Sequence, residues 1–327
     1  MSRLHIPMAW RQSADTILAE RPRVILVIGG GDSGKSSYCR FLAGALLASG
    51  ERVAIVDADI GQKTVGPPAT VTLGYVVSAD PWVCPPVAFY FVGATNPMGR
   101  MLPLVIGTGR LVSAADAPFV IVDTTGFVEG AGRVLKSYKI EAVRPDLIVA
   151  IERHDALEPI LRAHRTFRTI RIRPSRKARP RDRQERDEAR SHAFAAYFRE
   201  APRLELCIDD VVFQRSLLFN GVALTLAGTL YAETTPEGVI AVAEAAPPGV
   251  KVVKVVRPGF DHNLLCGVAD GRNCGVGLAI LDRIDFGRRT VSLLSPVPGE
   301  QVRALQLGDL YIGPDGRELG RVGPGGL

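Results

Sequence analysis

Residues 23–28, Arg-Val-Ile-Leu-Val-Ile, form a short continuous apolar run, and behind it stands Gly29-Gly30-Gly31-Asp32-Ser33-Gly34-Lys35-Ser36-Ser37. An apolar run of that length, bounded by glycine, reads as a strand buried on both faces. The stretch from Lys35 to about Ala48, closed by Gly50, reads as a helix. Between them the residues fit G-x-x-x-x-G-K-S/T, in the strand–loop–helix context that gives the pattern its meaning. Gly29, Gly30, Gly31 and Gly34 let backbone N–H groups converge on phosphate oxygens, with Asp32 and Ser33 completing the turn. The helix N-terminus, through Ser37, adds partial positive charge. Lys35 is expected to reach the β- and γ-phosphates of a nucleoside triphosphate, and the Ser36 hydroxyl to ligate Mg²⁺.

Further apolar runs at 53–56, 88–92, 119–122 and 147–151, with helical segments between some of them, extend this start into an alternating pattern. Alternation of this kind predicts an α/β domain, a parallel P-loop NTPase sheet with helices on both faces. After about residue 203 the pattern changes to short apolar runs broken by Gly, Pro and Asp-Gly, among them 222–226, 250–256, 277–281 and 290–294. These predict a smaller all-β C-terminal domain. With 327 residues and roughly 150 per domain, two domains are expected, at about 1–205 and 206–327. No apolar run reaches the roughly 18 residues of a membrane span, and residues 1–20 lack the apolar core of a signal peptide. The five cysteines, at 39, 84, 207, 266 and 274, are odd in number and include no C-x-x-C. They are expected as small buried hydrophobes in a reducing, cytoplasmic setting.

Two more strands end in carboxylates. Asp57-Ala58-Asp59-Ile60-Gly61-Gln62 follows the run at 53–56, and Asp123-Thr124-Thr125-Gly126-Phe127 follows the run at 119–122. Acids at the carboxyl end of a strand face the crevice where ligands of such sheets bind. Of Asp57 and Asp59, one could serve the metal and the other accept a proton from a hydroxyl nucleophile. Asp123 occupies the usual place of a second metal-side carboxylate. Phe127 is either packed or used as a stacking platform.

The net charge of +6 is confined to one place. Residues 165–190 carry eleven basic and four acidic side chains, so the rest of the chain is near neutral. Within the run, Arg183, Arg186 and Arg190 would share one face of a helix over 182–199, ending in Phe194, Tyr197 and Phe198. The arginines could stabilise a transferring phosphoryl group, contact a nucleic-acid backbone, or pair with Asp182, Glu185, Asp187 and Glu188 on a solvated helix.

Taken together, the loop with Asp two residues before its Gly-Lys-Ser, D-A-D-I-G-Q at 57–62 and G-P-P-A-T-V-T-L-G at 66–74 resemble the RNA-processing type of polynucleotide 5′-hydroxyl kinase. That family includes the kinase subunit of the mRNA cleavage factor, the pre-rRNA-processing kinases and archaeal relatives. The resemblance continues through F-V-G-A-T-N-P at 91–97, D-T-T-G-F at 123–127 and F-x-x-Y-F at 194–198. It runs on through R-P-G-F at 257–260, L-L-C-G-V-A-D at 264–270 and G-V-G-L-A-I-L-D-R-I-D at 275–285, and it includes Trp10 in an N-terminal helix. It implies transfer of the γ-phosphoryl group of ATP or GTP, with Mg²⁺, to the 5′-hydroxyl end of RNA and possibly DNA. RNA-processing protein partners are also implied. Carried onto this chain, Lys35 and Ser36 hold phosphates and metal, and Asp59 is the general base. Gln62 and Thr95 position substrate, Phe127 stacks a terminal base, and Arg186 and Arg190 belong to an arginine-rich lid over about 174–198. A nucleotide-binding scaffold subunit without kinase activity is the alternative. Three positions depart from the family pattern: Asp123 stands where relatives often carry Asn, Asn96 where they carry Ser, and Asp182 interrupts the arginine run.

Overall fold

The computed structural model describes residues 5–323, and the chain divides into two compact units, Met1–Arg190 and Ser191–Leu327. In the first unit, β1 (Val24–Gly29), β2 (Val53–Ala58), β3 (Thr70–Tyr75), β4 (Pro86–Phe91), β5 (Phe119–Thr124), β6 (Leu147–Ile151) and β7 (Thr169–Ile172) lie in the order β4-β3-β2-β5-β1-β6-β7. From β2 to β7 all neighbours are parallel. β3 and β4 are antiparallel additions at one side. The expected parallel P-loop sheet is present, and the two antiparallel strands extend it into a mixed one. β3 takes up the second half of the motif at 66–74 and ends one residue beyond it. Its Thr70 and Thr72 are fully buried polar residues whose hydroxyls bond each other at 3.0 Å, and Thr70 also donates to Pro67 O at 2.7 Å. Alternating threonine hides a strand buried on both faces from any reading by hydrophobic period.

Every residue of β1, β2, β5 and β6 is buried, and alternate residues serve opposite faces. Leu26, Val56, Val122 and Ile148 pack beneath α3 (Met101–Ala114) and α4 (Ala131–Val143). Ile25, Val27, Ile55, Ile121 and Val149 pack beneath α1 (Met8–Glu20) and α2 (Lys35–Ala48). Helices thus cover both faces, as the alternating pattern predicts. Trp10 of α1 is fully buried, edge-on to Tyr38 with ring centroids 5.3 Å apart. Its indole N–H donates to Arg173 O at 3.3 Å. A short α5 (Glu158–Ala163) follows β6.

The second unit carries the C-terminal half of α6 (Arg183–Phe198), including the buried Phe194 and Phe198, and is otherwise built mainly of strands. Leu264–Ala269, Gly275–Asp285, Thr290–Leu294 and Arg203–Cys207 form a continuous antiparallel set, with Ala304–Ile312 antiparallel on the other side of Leu264–Ala269. A separate sheet joins Val222–Ala223, Tyr231–Thr235, Gly238–Val242 and Val252–Val256. Tyr197 is built into this unit, where its hydroxyl accepts the Leu278 N–H at 3.0 Å. All five cysteines are free. Cys39 and Cys266 are buried as expected, but Cys84 is only half-buried and Cys207 and Cys274 are exposed, so for these three the expectation fails. No helix among the described residues is long and apolar enough to cross a membrane.

Trp10→Ala removes the largest side chain of the core beneath α1 and α2 and leaves a cavity there. Its expected effect is a loss of about 3–5 kcal/mol in the unfolding free energy of the first unit, read by urea denaturation. A loss below about 1 kcal/mol would mean that α1 is an ornament on the fold rather than part of it.

Candidate active site

The site lies at the carboxyl ends of β1, β2 and β5. β1 ends at Gly29, and α2 begins at Lys35 behind Gly34, whose φ of 85° favours glycine. No side chain caps α2, so its leading N–H groups point into the loop. Two close approaches hold the loop. A Cβ on Gly126 would lie 2.6 Å from Gly31 Cα, and a Cβ on Gly29 would lie 2.7 Å from Ile151 O. The turn after β5 and the end of β6 therefore grip the loop from opposite sides, at distances no side chain could fill.

Lys35 is buried, and its ammonium donates to Gly30 O at 2.7 Å, inside the turn that it closes. Burial pushes this ammonium below the ordinary lysine range, while the Asp123 and Asp59 charges work the other way. Ser36 and Ser37 stand half-buried on the first turn of α2.

The two acids after β2 have different surroundings. The Asp57 carboxylate is fully buried and taken up within the protein. Its Oδ2 accepts from Thr64 N at 2.7 Å, Thr64 Oγ1 at 2.9 Å and Val65 N at 3.0 Å. Its Oδ1 accepts Asp59 N at 3.1 Å and lies 3.2 Å from the buried Lys63 ammonium. Asp59 is half-buried; its Oδ1 accepts Gly61 N and Gln62 N, both at 3.0 Å. Thr95, also buried, adjoins this turn: a Cβ on Gly61 would lie 2.9 Å from Thr95 O.

Asp123 is fully buried and neither carboxylate oxygen completes a hydrogen bond. Burial and the neighbouring Asp57 charge push its carboxyl up to about 7, although the Ser36 hydroxyl and the Lys35 charge pull it down. Ser33 Oγ and Gln62 Oε1 are likewise buried without a partner. Among the described residues six buried side-chain polar atoms lack a partner, and four of them belong to Ser33, Gln62 and Asp123. Buried polar groups are nearly always satisfied, so orphaned atoms on the loop and after β2 and β5 fit a polar ligand at these strand ends. An unsatisfied carboxylate beside a hydroxyl also fits a divalent cation. No group of three or more His, Cys, Asp or Glu side chains poised for a metal occurs among the described residues, so most of its ligands would be phosphate and water.

The arginine run reaches this loop through Asp32. The Asp32 carboxylate accepts Arg181 N at 3.1 Å and Arg186 Nη2 at 2.5 Å, and Arg181 Nε lies 3.6 Å away. Partial burial works against ionisation, but these hydrogen bonds and charges hold the Asp32 carboxyl below its usual range. Gln62 Nε2 donates to Arg186 O at 3.1 Å, tying α6 to the turn after β2 as well. Arg190 pairs with Asp187 one turn earlier. Asp182, the acid that interrupts the run, caps α6: Glu185 N donates to Asp182 Oδ1 at 2.7 Å, and Asp182 N donates back to Glu185 Oε2 at 3.0 Å. This is a capping box, legible in the D-x-x-E spacing. Phe127 is half-buried, against the core beneath α3 and α4, and keeps part of its ring in solvent.

Sequence reasoning missed three lysines. Lys63 donates to Asp57 O at 2.7 Å, Lys136 to Thr125 O at 2.6 Å and Lys139 to Ala58 O at 3.2 Å, and Lys136 and Lys139 are fully buried. Burial pushes the Lys139 ammonium down to about 7, against the pull of Asp59. A signal existed: only seven of the 40 basic residues are lysine, and four of the seven, Lys35, Lys63, Lys136 and Lys139, gather here.

On the other side of β1, His5–Met8, Arg153, His154, Arg173, Pro174 and Arg176 line a cavity of about 850 Å³. Arg153 and His154 of its lining follow Ile151, whose carbonyl approaches Gly29, and Met8 shares α1 with Trp10, which approaches Gly34.

A sheet, loop and helix of this construction define a P-loop nucleotide-binding protein. Residues 29–200 match the family described as mRNA cleavage and polyadenylation factor CLP1 P-loop. A polyribonucleotide 5′-hydroxyl-kinase of Pyrococcus furiosus is 35% identical over 323 residues, covering 92% of this chain and 91% of its own length. One of Methanocaldococcus jannaschii is 31% identical over 326 residues, covering 92% and 90%. The fold is shared with Clp1p solved in complex with Pcf11p, at 13% identity and a TM-score of 0.64, covering 92% of this chain and 78% of that one. The chain belongs to the CLP1-type polyribonucleotide 5′-hydroxyl-kinase family.

The state of Asp123 can be read from stability. Between about pH 4 and pH 7 the folded protein keeps a proton on this carboxyl that the unfolded chain releases, so folding weakens as pH rises through that window. Without nucleotide or divalent cation, Asp123→Asn should gain on the order of 2 kcal/mol over wild type between pH 5 and pH 8, measured by urea unfolding. Parallel curves for the two proteins would show that Asp123 is ionised throughout.

Proposed function

We propose that this protein transfers the γ-phosphoryl group of ATP or GTP to the 5′-hydroxyl end of RNA, and of DNA where the end is accessible. The observation that carries this reading is the cluster of unpartnered buried polar atoms on Ser33, Gln62 and Asp123 around a gripped phosphate loop, next to Asp59. Membership of a family whose curated members bear the kinase name supports it.

The sheet order supports one direction for the donor. Asp59 and Asp123 lie on the β2 and β5 side of β1, and the cavity of His5–Arg176 lies on the β6 and β7 side. A triphosphate laid along the loop with its γ-phosphoryl at the acids therefore places its nucleoside in that cavity. Lys35, the loop N–H groups and the start of α2 bind the phosphates. Ser36 and Asp123 would hold Mg²⁺, which would offset phosphate charge. Asp57 is given a supporting role in place of the metal-side role that its spacing suggested, because its oxygens already serve Thr64, Val65, Asp59 and Lys63.

Asp59 is the general base. One of its oxygens is fixed by the Gly61 and Gln62 N–H groups, which orients the other toward an incoming hydroxyl. Gln62 and Thr95 border that approach, and the exposed part of the Phe127 ring offers a face for the terminal base, worth about 1–3 kcal/mol where a base stacks. Arg186 sits on the loop's own Asp32, so a small change of partner brings its guanidinium to phosphate; Arg190 follows one turn later on α6. Chemistry of this kind depends on positioning and charge stabilisation more than on covalent steps.

Two substitutions test the assignment with labelled ATP and a 5′-hydroxyl RNA oligomer. Asp59→Asn should lower kcat by about 10²–10⁴-fold with KM for ATP little changed. Lys35→Ala should abolish transfer in a folded protein. A folded Asp59→Asn variant with normal turnover would remove the base from this residue and undo the reading of the site.

A further inference from the structure

Lys136 and Lys139 stand three residues apart on one face of α4, fully buried and pointed at the ends of two strands. Lys139 donates to Ala58 O at 3.2 Å, the carbonyl immediately before Asp59. Lys136 donates to Thr125 O at 2.6 Å and lies 3.3 Å from Thr125 Oγ1, in the turn that joins Asp123 to Gly126. Gly126 is the residue pressed against Gly31 of the phosphate loop. Core packing alone does not account for amine groups here, because a buried polar group is unfavourable unless it is hydrogen-bonded, and a leucine or methionine would fill the space.

The choice of residue is informative. The chain has 33 arginines and seven lysines, yet it uses lysine at both positions. An ammonium can satisfy itself on one or two carbonyl oxygens as a compact donor, whereas a guanidinium spreads five donors over a planar fork.

We propose that Lys136 and Lys139 are positioning residues of the phosphoryl-transfer site, Lys139 fixing the turn that carries Asp59 and Lys136 fixing the turn that carries Asp123 and meets the phosphate loop. The inference rests on the kinase reading and deepens it. It divides the labour: Lys139 governs the acceptor side and turnover, Lys136 the donor side and nucleotide affinity.

The test is steady-state kinetics with ATP, Mg²⁺ and a 5′-hydroxyl RNA oligomer on wild type, Lys139→Met and Lys136→Met, each checked for a cooperative unfolding transition. Displacing a reacting group by about 1 Å can lower a rate on the order of 10²-fold. Lys139→Met should therefore lower kcat about 10- to 100-fold at saturating substrates, with KM for ATP within about twofold of wild type. Lys136→Met should raise KM for ATP by about tenfold or more. A role confined to packing predicts neither split. If a methionine variant does not fold, the corresponding Lys→Gln, which keeps a donor and loses the charge, decides by the same criteria. The proposal is overturned if folded variants keep both parameters near wild type, or if the loss merely follows the fraction unfolded. Wild type that transfers no phosphate would instead overturn the kinase reading itself.

Discussion

Everything in the site depends on how closely three pieces of backbone approach one another. The phosphate loop lies between the turn after β5, through Gly126, and the end of β6, through Ile151 O. Both approaches are too short for a Cβ. The parallel register of β5, β1 and β6 brings those ends together, and the buried strands on both faces of the sheet keep them there. The loop is consequently shaped before any ligand arrives, so its N–H groups need little rearrangement to meet phosphate.

Charge is arranged around that fixed frame in two layers. Beneath the strand ends, Lys63 pairs with Asp57, and Lys136 and Lys139 donate to the carbonyls of Thr125 and Ala58. Above them, Asp59 keeps one oxygen uncommitted to the turn, and Asp123 keeps both without a hydrogen bond. The arginine run enters from a third direction. Asp32 receives Arg181 and Arg186, so the basic segment meets the loop at a defined point rather than as a diffuse positive field. The Asp182–Glu185 capping box starts α6 at the position that makes this contact possible.

The sequence carried the loop, its strand and its helix plainly, because spacing and glycine content alone specify them. Helices on both faces and a β-rich second unit were also legible, through the change of hydrophobic period near residue 203. β3 was not, since its buried threonines imitate a polar surface. Asp57 and Asp59 look equivalent at a spacing of two residues; only the fold shows that one is fully buried against Thr64 and Lys63 while the other is half-buried and holds the turn through Gly61 and Gln62. Phe127 remains both things that its sequence allowed, partly packed on the core and partly open. Lys136 and Lys139 belong to a residue type that is seldom fully buried, and the fold buries both.

The central claim is that this frame directs a phosphoryl group to an RNA hydroxyl and away from water. The most direct measurement incubates the protein with γ-labelled ATP, Mg²⁺ and a 5′-hydroxyl RNA oligomer, and follows the label. The account predicts label on the 5′ end of the RNA, with little inorganic phosphate formed when RNA is present. Label appearing only as inorganic phosphate, at a rate indifferent to RNA, would contradict it, as would tight nucleotide binding with no turnover at all.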